Sequence, residues 1–587
     1  GSDAAAPRWS RDGKFLYFAS DRSGSRQLWK LPVATFGEAL PVTDIEGGVR
    51  AFRFSPDERY LLLTYDDENR PGSGPREDEE SEEEEPDPFV IDRLQFKEDA
   101  GQGYLTARPS DHLYLYELAT DELRQLTRGG YSESDAEFSP DGKTIVFVSN
   151  REGDPDASYR TDLWSIPVDG EGAPRRLTHG DDVKSRPQWS PDGRWIAYVT
   201  AVDGVYGIER LAVIPAAGGE PRVLTGPLDR WVRDFRFSPD GDWIWFAFDN
   251  HGARHLARVR LADGRIESMV EGDRVISAFD LDVSGDVVVR ANGANDAADV
   301  YRVRRGDLER LTDVNAAYLD SVLLGRKSHV SFESDDGTVV EAFITTPPGY
   351  VEGRRYPTVL KIHGGPVGQV EWGYDFGTQY LAAAGYVVVE PNPRGSTGRG
   401  QDFVDAIYRL WGITDYADVI AAVDYAVEAG LADPERLAVT GYSYGGYMTN
   451  VVITRTDRFK AAVSGAGHAF IAANFGHDIY QRWYRWELGT PWENRELYDR
   501  LSPILQADKV VTPTMFIGGR IDWNVPILNS ELFYQALKTR GIETRLVVYP
   551  GAHHGGWDTR FEKDYLERLV AWFDRHVRGA ATAAESP

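Results

Sequence analysis

Short apolar runs bounded by turn residues fill the first half of the chain. Ile145-Val146-Phe147-Val148, Leu163-Trp164-Ser165-Ile166 and Ile196-Ala197-Tyr198-Val199 have strand length and strand composition. They follow a recurring turn of the form aromatic-Ser-Pro-Asp-Gly. It appears as Trp9-Ser10-Arg11-Asp12-Gly13, Phe54-Ser55-Pro56-Asp57-Glu58, Phe138-Ser139-Pro140-Asp141-Gly142, Trp189-Ser190-Pro191-Asp192-Gly193 and Phe237-Ser238-Pro239-Asp240-Gly241, with a degenerate sixth copy at Val283-Ser284-Gly285-Asp286. The serines are spaced by 45, 84, 51, 48 and 46 residues. Four of these intervals match the period of a four-stranded propeller blade, roughly 40–50 residues. Each copy closes on a Leu-Thr pair: Leu126-Thr127, Leu177-Thr178, Leu224-Thr225, Leu311-Thr312. The pattern predicts an N-terminal β-propeller over residues 1–325 with six detectable blades. The start falls within an early blade, so an upstream segment is expected.

Past Arg326 strands alternate with helices. Val339–Ile344 and Thr358–Ile362 read as strands, while Asp415–Ala429 and Glu562–His576 carry the 3.6-residue apolar period. That alternation predicts a doubly wound, mostly parallel sheet over residues 326–587, with chemistry in the loops at the strands' carboxyl ends.

The strand Arg436–Thr440 runs into Gly441-Tyr442-Ser443-Tyr444-Gly445, a nucleophile elbow of an α/β-hydrolase, in which a tight turn lifts the serine hydroxyl above the sheet. A serine needs a base, and the base needs a carboxylate to orient it; on this fold they follow the serine in the order acid, then histidine. Asp522 follows the strand Thr514–Gly519, and His553-His554-Gly555 follows Leu546–Tyr549. His554 is assigned as the base because the following glycine leaves its ring room to turn, and His553 as a hydrogen-bond partner in the loop. His363-Gly364-Gly365-Pro366 after the strand Thr358–Ile362 supplies an oxyanion loop, and the expected donors are the N–H groups of Gly365 and Tyr444. His363 itself is read as structural.

Composition narrows the field. The chain has 587 residues, 93 Asp+Glu against 65 Lys+Arg for a net charge of −28, and no cysteine. An acidic surface argues against general nucleic-acid or anionic-membrane binding. Without cysteine there are no disulfides, no cysteine metal sites and no thiol nucleophile, which leaves Ser443 as the supported nucleophile. The cysteine count also fits a cytoplasmic home. No apolar run reaches the ~18 residues needed to span a bilayer. No His/Asp/Glu grouping has metal-ligand spacing, so neither metal nor cofactor is expected. The 84-residue interval holds Glu77–Asp87, with nine acids in eleven residues, so an insertion at about 68–90 is expected to be disordered.

Taken in order, the Ser-Pro-Asp-Gly blades, His363-Gly364-Gly365-Pro366, Asn392-Pro393-Arg394-Gly395-Ser396-Thr397-Gly398, Gly441–Gly446, Asp522-Trp523-Asn524-Val525-Pro526 and His554-Gly555 resemble the prolyl oligopeptidase family of serine peptidases. The insertion followed by Ile91-Asp92-Arg93-Leu94 and Gly101–Leu105 is most similar to its acylaminoacyl-peptidase branch. The resemblance implies a propeller of about seven blades that caps the active site and admits short peptides. It also implies a Ser443–Asp522–His554 triad with Gly365 and Tyr444 at the oxyanion. Relatives that hold a free substrate amine use paired propeller glutamates, and no such pair stands out here.

For the substrate, Phe470, Phe475, Trp483, Trp486 and Val525 are candidates to line the pocket at the scissile bond. Arg151, Arg186 and Arg233 are candidates to hold a C-terminal carboxylate, which would give a carboxypeptidase-type enzyme. The leading expectation is a serine peptidase acting on short peptides, N-acylated ones among them, through an acyl-enzyme; a carboxylesterase and a non-catalytic binding module are the other readings. The expected partners are short peptides, with neither nucleic acid nor membrane, in a homo-oligomeric assembly.

Overall fold

The computed structural model describes residues 4–578 except 36, 50, 67–87, 102, 106–109 and 203. The acidic run Glu77–Asp87 therefore lies outside the described residues. Contacts divide the chain into two compact units. One comprises Gly1–Arg93, Thr106–Asp203 and Arg210–Gly226; the other comprises Leu94–Leu105, Gly204–Glu209 and Pro227–Pro587.

The first unit holds four antiparallel four-stranded sheets, each in simple sequence order. The repeated motif works locally. In every complete copy the serine hydroxyl donates to the aspartate two residues on and accepts the N–H that opens the next strand, as in Ser139 to Asp141 at 2.7 Å and Thr144 N–H to Ser139 at 3.0 Å. The Leu-Thr pair has an equally local cause. The threonine hydroxyl accepts an N–H near the start of the third strand, as Thr127 does from Leu113, Thr178 from Leu163 and Thr225 from Leu211, each at 2.9 Å. Thr43 does the same for Leu28. Apolar side chains interleave between neighbouring sheets, with Leu62, Leu113 and Leu115 packed on Phe138, Ile145 and Phe147.

The second unit contains two further propeller sheets, joined edge to edge through a single parallel contact between Arg254 and Val275. In the degenerate sixth repeat Asp282 takes over the turn, accepting from Ser284 and from Asp286 N–H.

The rest of this unit is an eight-stranded sheet: β1 (Arg326–Glu333), β2 (Val339–Thr346), β3 (Tyr356–Ile362), β4 (Val387–Asn392), β5 (Ala432–Tyr442), β6 (Ala461–Gly465), β7 (Thr514–Gly519) and β8 (Thr544–Tyr549), in the order β1-β2-β4-β3-β5-β6-β7-β8. β1, β2 and β4 pair antiparallel, and every other pairing is parallel. The two-residue alternation of a strand sends neighbours to opposite faces, and both faces are covered. Leu360, Val389 and Val439 pack under α2 (Thr414–Glu428), α3 (Tyr444–Arg455) and α4 (Leu528–Thr539). Val359, Val388 and Ala438 pack under α1 (Phe376–Ala383) and α5 (Thr559–Phe573). Among the described residues no helix is long and apolar enough to cross a membrane.

Candidate active site

Parallel register brings the functional loops to one edge. Ile362 pairs with Gly441, Tyr442 with Gly465, Gly465 with Ile517, and Gly519 with Tyr549. The chain thus leaves β3, β5, β7 and β8 at the same end of the sheet, carrying His363–Gly365, Ser443, Asp522 and His554 there.

The elbow is built by backbones in close approach. Ser443 sits at φ +58°, ψ −122°, a region that costs a non-glycine residue about 1–3 kcal/mol and is held only by its surroundings. Its N–H donates to Gly465 O at 2.9 Å. A Cβ on Gly445 would lie 2.1 Å from Ile362 O, and one on Gly446 would lie 2.2 Å from Gly465 O, so only glycine fits at either position. Gly364 is within van der Waals reach of Ser443: a Cβ there would meet Ser443 Cβ at 3.4 Å. The loop His363–Pro366 therefore lies directly against Ser443. Tyr444 opens α3, where the first N–H groups have no intrahelical partner. Its phenol donates to the buried Asp415 at 2.6 Å, which anchors the residue that follows Ser443. His363 is fully engaged by its neighbours, Gly364 O at 2.7 Å and Ser396 Oγ at 3.0 Å, and burial pushes its pKa down.

His554 Nδ1 is 2.8 Å from Asp522 Oδ2. Asp522 is buried, and its other oxygen accepts Val525 N–H at 2.7 Å. Burial pushes the Asp522 carboxyl up, the hydrogen bond and charge of His554 pull it down, and the nearby Asp99 adds to the rise. The His554 ring packs 5.1 Å from the Tyr442 ring at a 44° tilt, and the Tyr442 hydroxyl donates to His554 O at 2.8 Å. His554 is thus held against Tyr442, the residue that precedes Ser443, with Nε2 as its remaining nitrogen. His553 instead lies 3.4 Å from Asp99, while its carbonyl accepts Trp557 Nε1–H at 2.8 Å. Among the described residues none hydrogen-bonds the Ser443 hydroxyl. Such contacts are commonly loose in a substrate-free site.

A chain with this arrangement and these strand-end motifs has close counterparts. A profile of the prolyl oligopeptidase family matches residues 372–580, and a profile of the TolB β-propeller domain matches residues 104–275. The uncharacterized peptidase YuxL of Bacillus subtilis is 31% identical, with 97% of this chain and 90% of that protein covered. This chain belongs to the prolyl oligopeptidase family. It is a serine-type peptidase of the exopeptidase or oligopeptidase kind, with the propeller and α/β-hydrolase of that family. Dipeptidyl-peptidase 5 of Porphyromonas gingivalis is 25% identical, with 98% and 87% covered. Among solved structures, the fold is shared with an acylaminoacyl peptidase in complex with Z-Gly-Gly-Phe-chloromethyl ketone, at TM-score 0.83 and 24% identity, covering 99% of this chain and 90% of that one. It is shared as well with uncomplexed Pyrococcus horikoshii acylaminoacyl peptidase, at TM-score 0.82 and 24% identity, covering 99% and 90%.

The remaining candidates are distributed unevenly. Val525 is buried beside Asp522. Trp483 is a core residue; its ring lies 5.3 Å from Trp411, which in turn lies 6.1 Å from Tyr444, and its Nε1 donates to Glu487 at 2.7 Å. Phe475 packs on Trp492 and Tyr498, and Phe470 precedes the short helix Ile471–Asn474. Trp486 is one-third exposed and packs on Tyr408 and Tyr206. Arg233 is committed to the buried Asp249. Arg151 and Arg186 belong to the other unit, where Arg151 pairs with Glu133 at 2.6 Å and Arg186 N–H donates to Asp135 at 2.8 Å.

Two features of the site escape a reading by motif. Tyr442 packs its ring on His554 and donates to its carbonyl, and Asp99, one acid among 93, reaches both the Asp522 loop and the His554 loop.

Proposed function

We propose that this chain hydrolyses short peptides through an acyl-enzyme on Ser443, with His554 as general base and acid and Asp522 as its orienting carboxylate. The supporting observation is the 2.8 Å His554–Asp522 contact held against the elbow by Tyr442. Ser443 Oγ attacks the peptide carbonyl as His554 Nε2 takes its proton. The developing oxyanion is received by the N–H groups of Gly365 and Tyr444. The imidazolium, stabilised by Asp522, then returns the proton to the departing amine, and water repeats the sequence on the acyl-enzyme.

Two observations favour substrates held from their amino side, acylated or free. Arg151 and Arg233 are already paired with buried acids and are poorly placed to take a C-terminal carboxylate. The names of the relatives, acylaminoacyl peptidase and dipeptidyl-peptidase 5, point the same way. Ser443→Ala should abolish both peptide hydrolysis and fluorophosphonate labelling; retained labelling would remove the nucleophile assignment. Mass spectrometry of products from a mixture of free, N-acetylated and C-amidated short peptides then decides the anchored end. Cleavage blocked by C-amidation would overturn the amino-side reading.

A further inference from the structure

We infer that Asp99 is a positioning residue that holds the Asp522 loop and the His554 loop in register, an inference that rests on the triad proposed above. Its carboxylate bridges the two loops through backbone donors. One oxygen accepts the N–H of Trp523, adjacent to Asp522, at 2.9 Å, and the other accepts the N–H of His554 itself at 3.0 Å. His553 Nδ1 lies 3.4 Å from the first oxygen. An ionised carboxylate accepting from backbone N–H groups makes stronger bonds than neutral pairs, and two such bonds from one rigid side chain fix a distance between the loops.

The residue is delivered by a segment built for the purpose. Leu94–Leu105 lies, in chain order, between two propeller strands, yet it groups with the catalytic unit. It is a small hairpin, with Lys97 bridged to Tyr104, Leu105 N–H donating to Phe96 O at 2.9 Å and Gly103 N–H to Ala100 O at 2.9 Å, so Asp99 sits at its tip. Three anchors seat it on the segment His477–Ile479 and on Trp523 of the Asp522 loop. Lys97 Nζ donates to His477 O at 2.7 Å and lies 4.7 Å from the Trp523 ring. Gln95 Nε2 donates to Ile479 O at 2.9 Å. Gly103, at φ +83°, presses so closely on Trp523 that a Cβ would fall 2.2 Å from the indole. The side chains of Asp522 and His554 are meanwhile paired with each other, so Asp99 is left to set where their backbones lie.

Displacing a catalytic group by about 1 Å can cost on the order of a hundredfold in rate. In the full-length protein, Asp99→Ala should lower kcat by about a hundredfold and Asp99→Asn by about tenfold, since the amide keeps one acceptor. KM should stay within about twofold because Asp99 is assigned no substrate contact. Fluorophosphonate labelling of Ser443 should slow in parallel. Gly103→Ala, which pushes the hairpin off Trp523 while every polar group remains, should lower kcat in the same way and serves if Asp99→Ala fails to fold. Unchanged kcat in Asp99→Ala, or in Gly103→Ala should the alanine at 99 not fold, overturns the inference; so does a loss that appears wholly in KM. Labelling of wild type and Ser443→Ala alongside separates the two ideas: labelling of both removes the triad and the clamp together, whereas a labelled wild type with a fully active Asp99 variant removes the clamp alone.

Discussion

Replacing Asp415 by asparagine should stabilise the catalytic unit at neutral and alkaline pH and change little below pH 4. The carboxyl is buried in the first turn of α2, where it accepts the Tyr444 hydroxyl at 2.6 Å and Tyr416 N–H at 3.1 Å. Burial pushes its pKa from 3.8 to about 7; the Tyr444 hydrogen bond opposes the rise and the neighbouring Asp418 adds to it. An unfolded chain releases this proton near pH 3.8, whereas the folded one keeps it until about pH 7. Folding stability from this group is therefore full below 3.8, falls as pH rises towards 7, and is flat beyond. At about 1.36 kcal/mol per pH unit, the interval amounts to about 4 kcal/mol at pH 8 and to less than 2 kcal/mol at pH 5. Asparagine does not titrate. Its amide oxygen can accept Tyr416 N–H and its NH2 can donate to the Tyr444 oxygen, which reverses role without moving. Thermal unfolding of both proteins, followed by near-ultraviolet circular dichroism at pH 5 and pH 8, measures the effect. The expected result is a Tm gain of several degrees at pH 8 and a markedly smaller one at pH 5. A gain of equal size at both, or a loss that grows with pH, would falsify the account of Asp415 as a buried, protonated acid.

Three other outcomes follow from the geometry. His554→Ala should reduce kcat by at least about 10³-fold, while His553→Ala, which removes only the long contact to Asp99, should stay within about tenfold; peptide hydrolysis with purified variants discriminates them. Gly445→Ala puts a methyl 2.1 Å from Ile362 O, a contact between backbones that no rotamer relieves, and should cost about 3 kcal/mol or more together with phosphonate labelling, read by unfolding and labelling of the same sample. Thr178→Val keeps the shape but leaves the buried Leu163 N–H without its acceptor, so about 1–3 kcal/mol should be lost from the propeller's first unit in denaturant melts, with kcat at 25 °C unchanged.

The parts of this fold that a reader of the sequence can see are those whose causes are local. Ser139, Asp141 and Thr144 close their turn within six residues, so the repeat is written in contiguous letters; the elbow is likewise spelled out by Gly441, Ser443, Gly445 and Gly446, because steric exclusion at each position admits only glycine beside the nucleophile. Asp522 and His554 are legible through strand–loop punctuation, although nothing in the letters brings them within 2.8 Å. Asp99 is illegible for the opposite reason. Its partners lie 424 and 455 residues away, and an aspartate in an acidic stretch carries no local mark of what it binds. The same holds for Gly204, whose neighbour across the unit is the Trp486 indole, 2.4 Å from where a Cβ would stand. Pairing of the candidate arginines is also non-local: Arg233 meets Asp249 across a strand pair, and its charge is neutralised by a residue that motif reading gives no reason to single out.

These two kinds of contact divide the site into halves that behave differently. The nucleophile and oxyanion half is locked by backbones in contact: Gly445 on Ile362, Gly446 on Gly465, Gly364 on Ser443. Packing of that kind is bistable at best and does not stretch. The acid–base half is held by hydrogen bonds between loops, namely Asp99 with Trp523 and His554, Tyr442 with His554, and Val525 with Asp522. A single hydrogen bond of this sort is worth about 0.5–1.5 kcal/mol, and one to a charged group about 1.5–3 kcal/mol. Substitutions in the glycine-packed half should therefore be read first in folding, and substitutions around Asp99 and Tyr442 first in kcat.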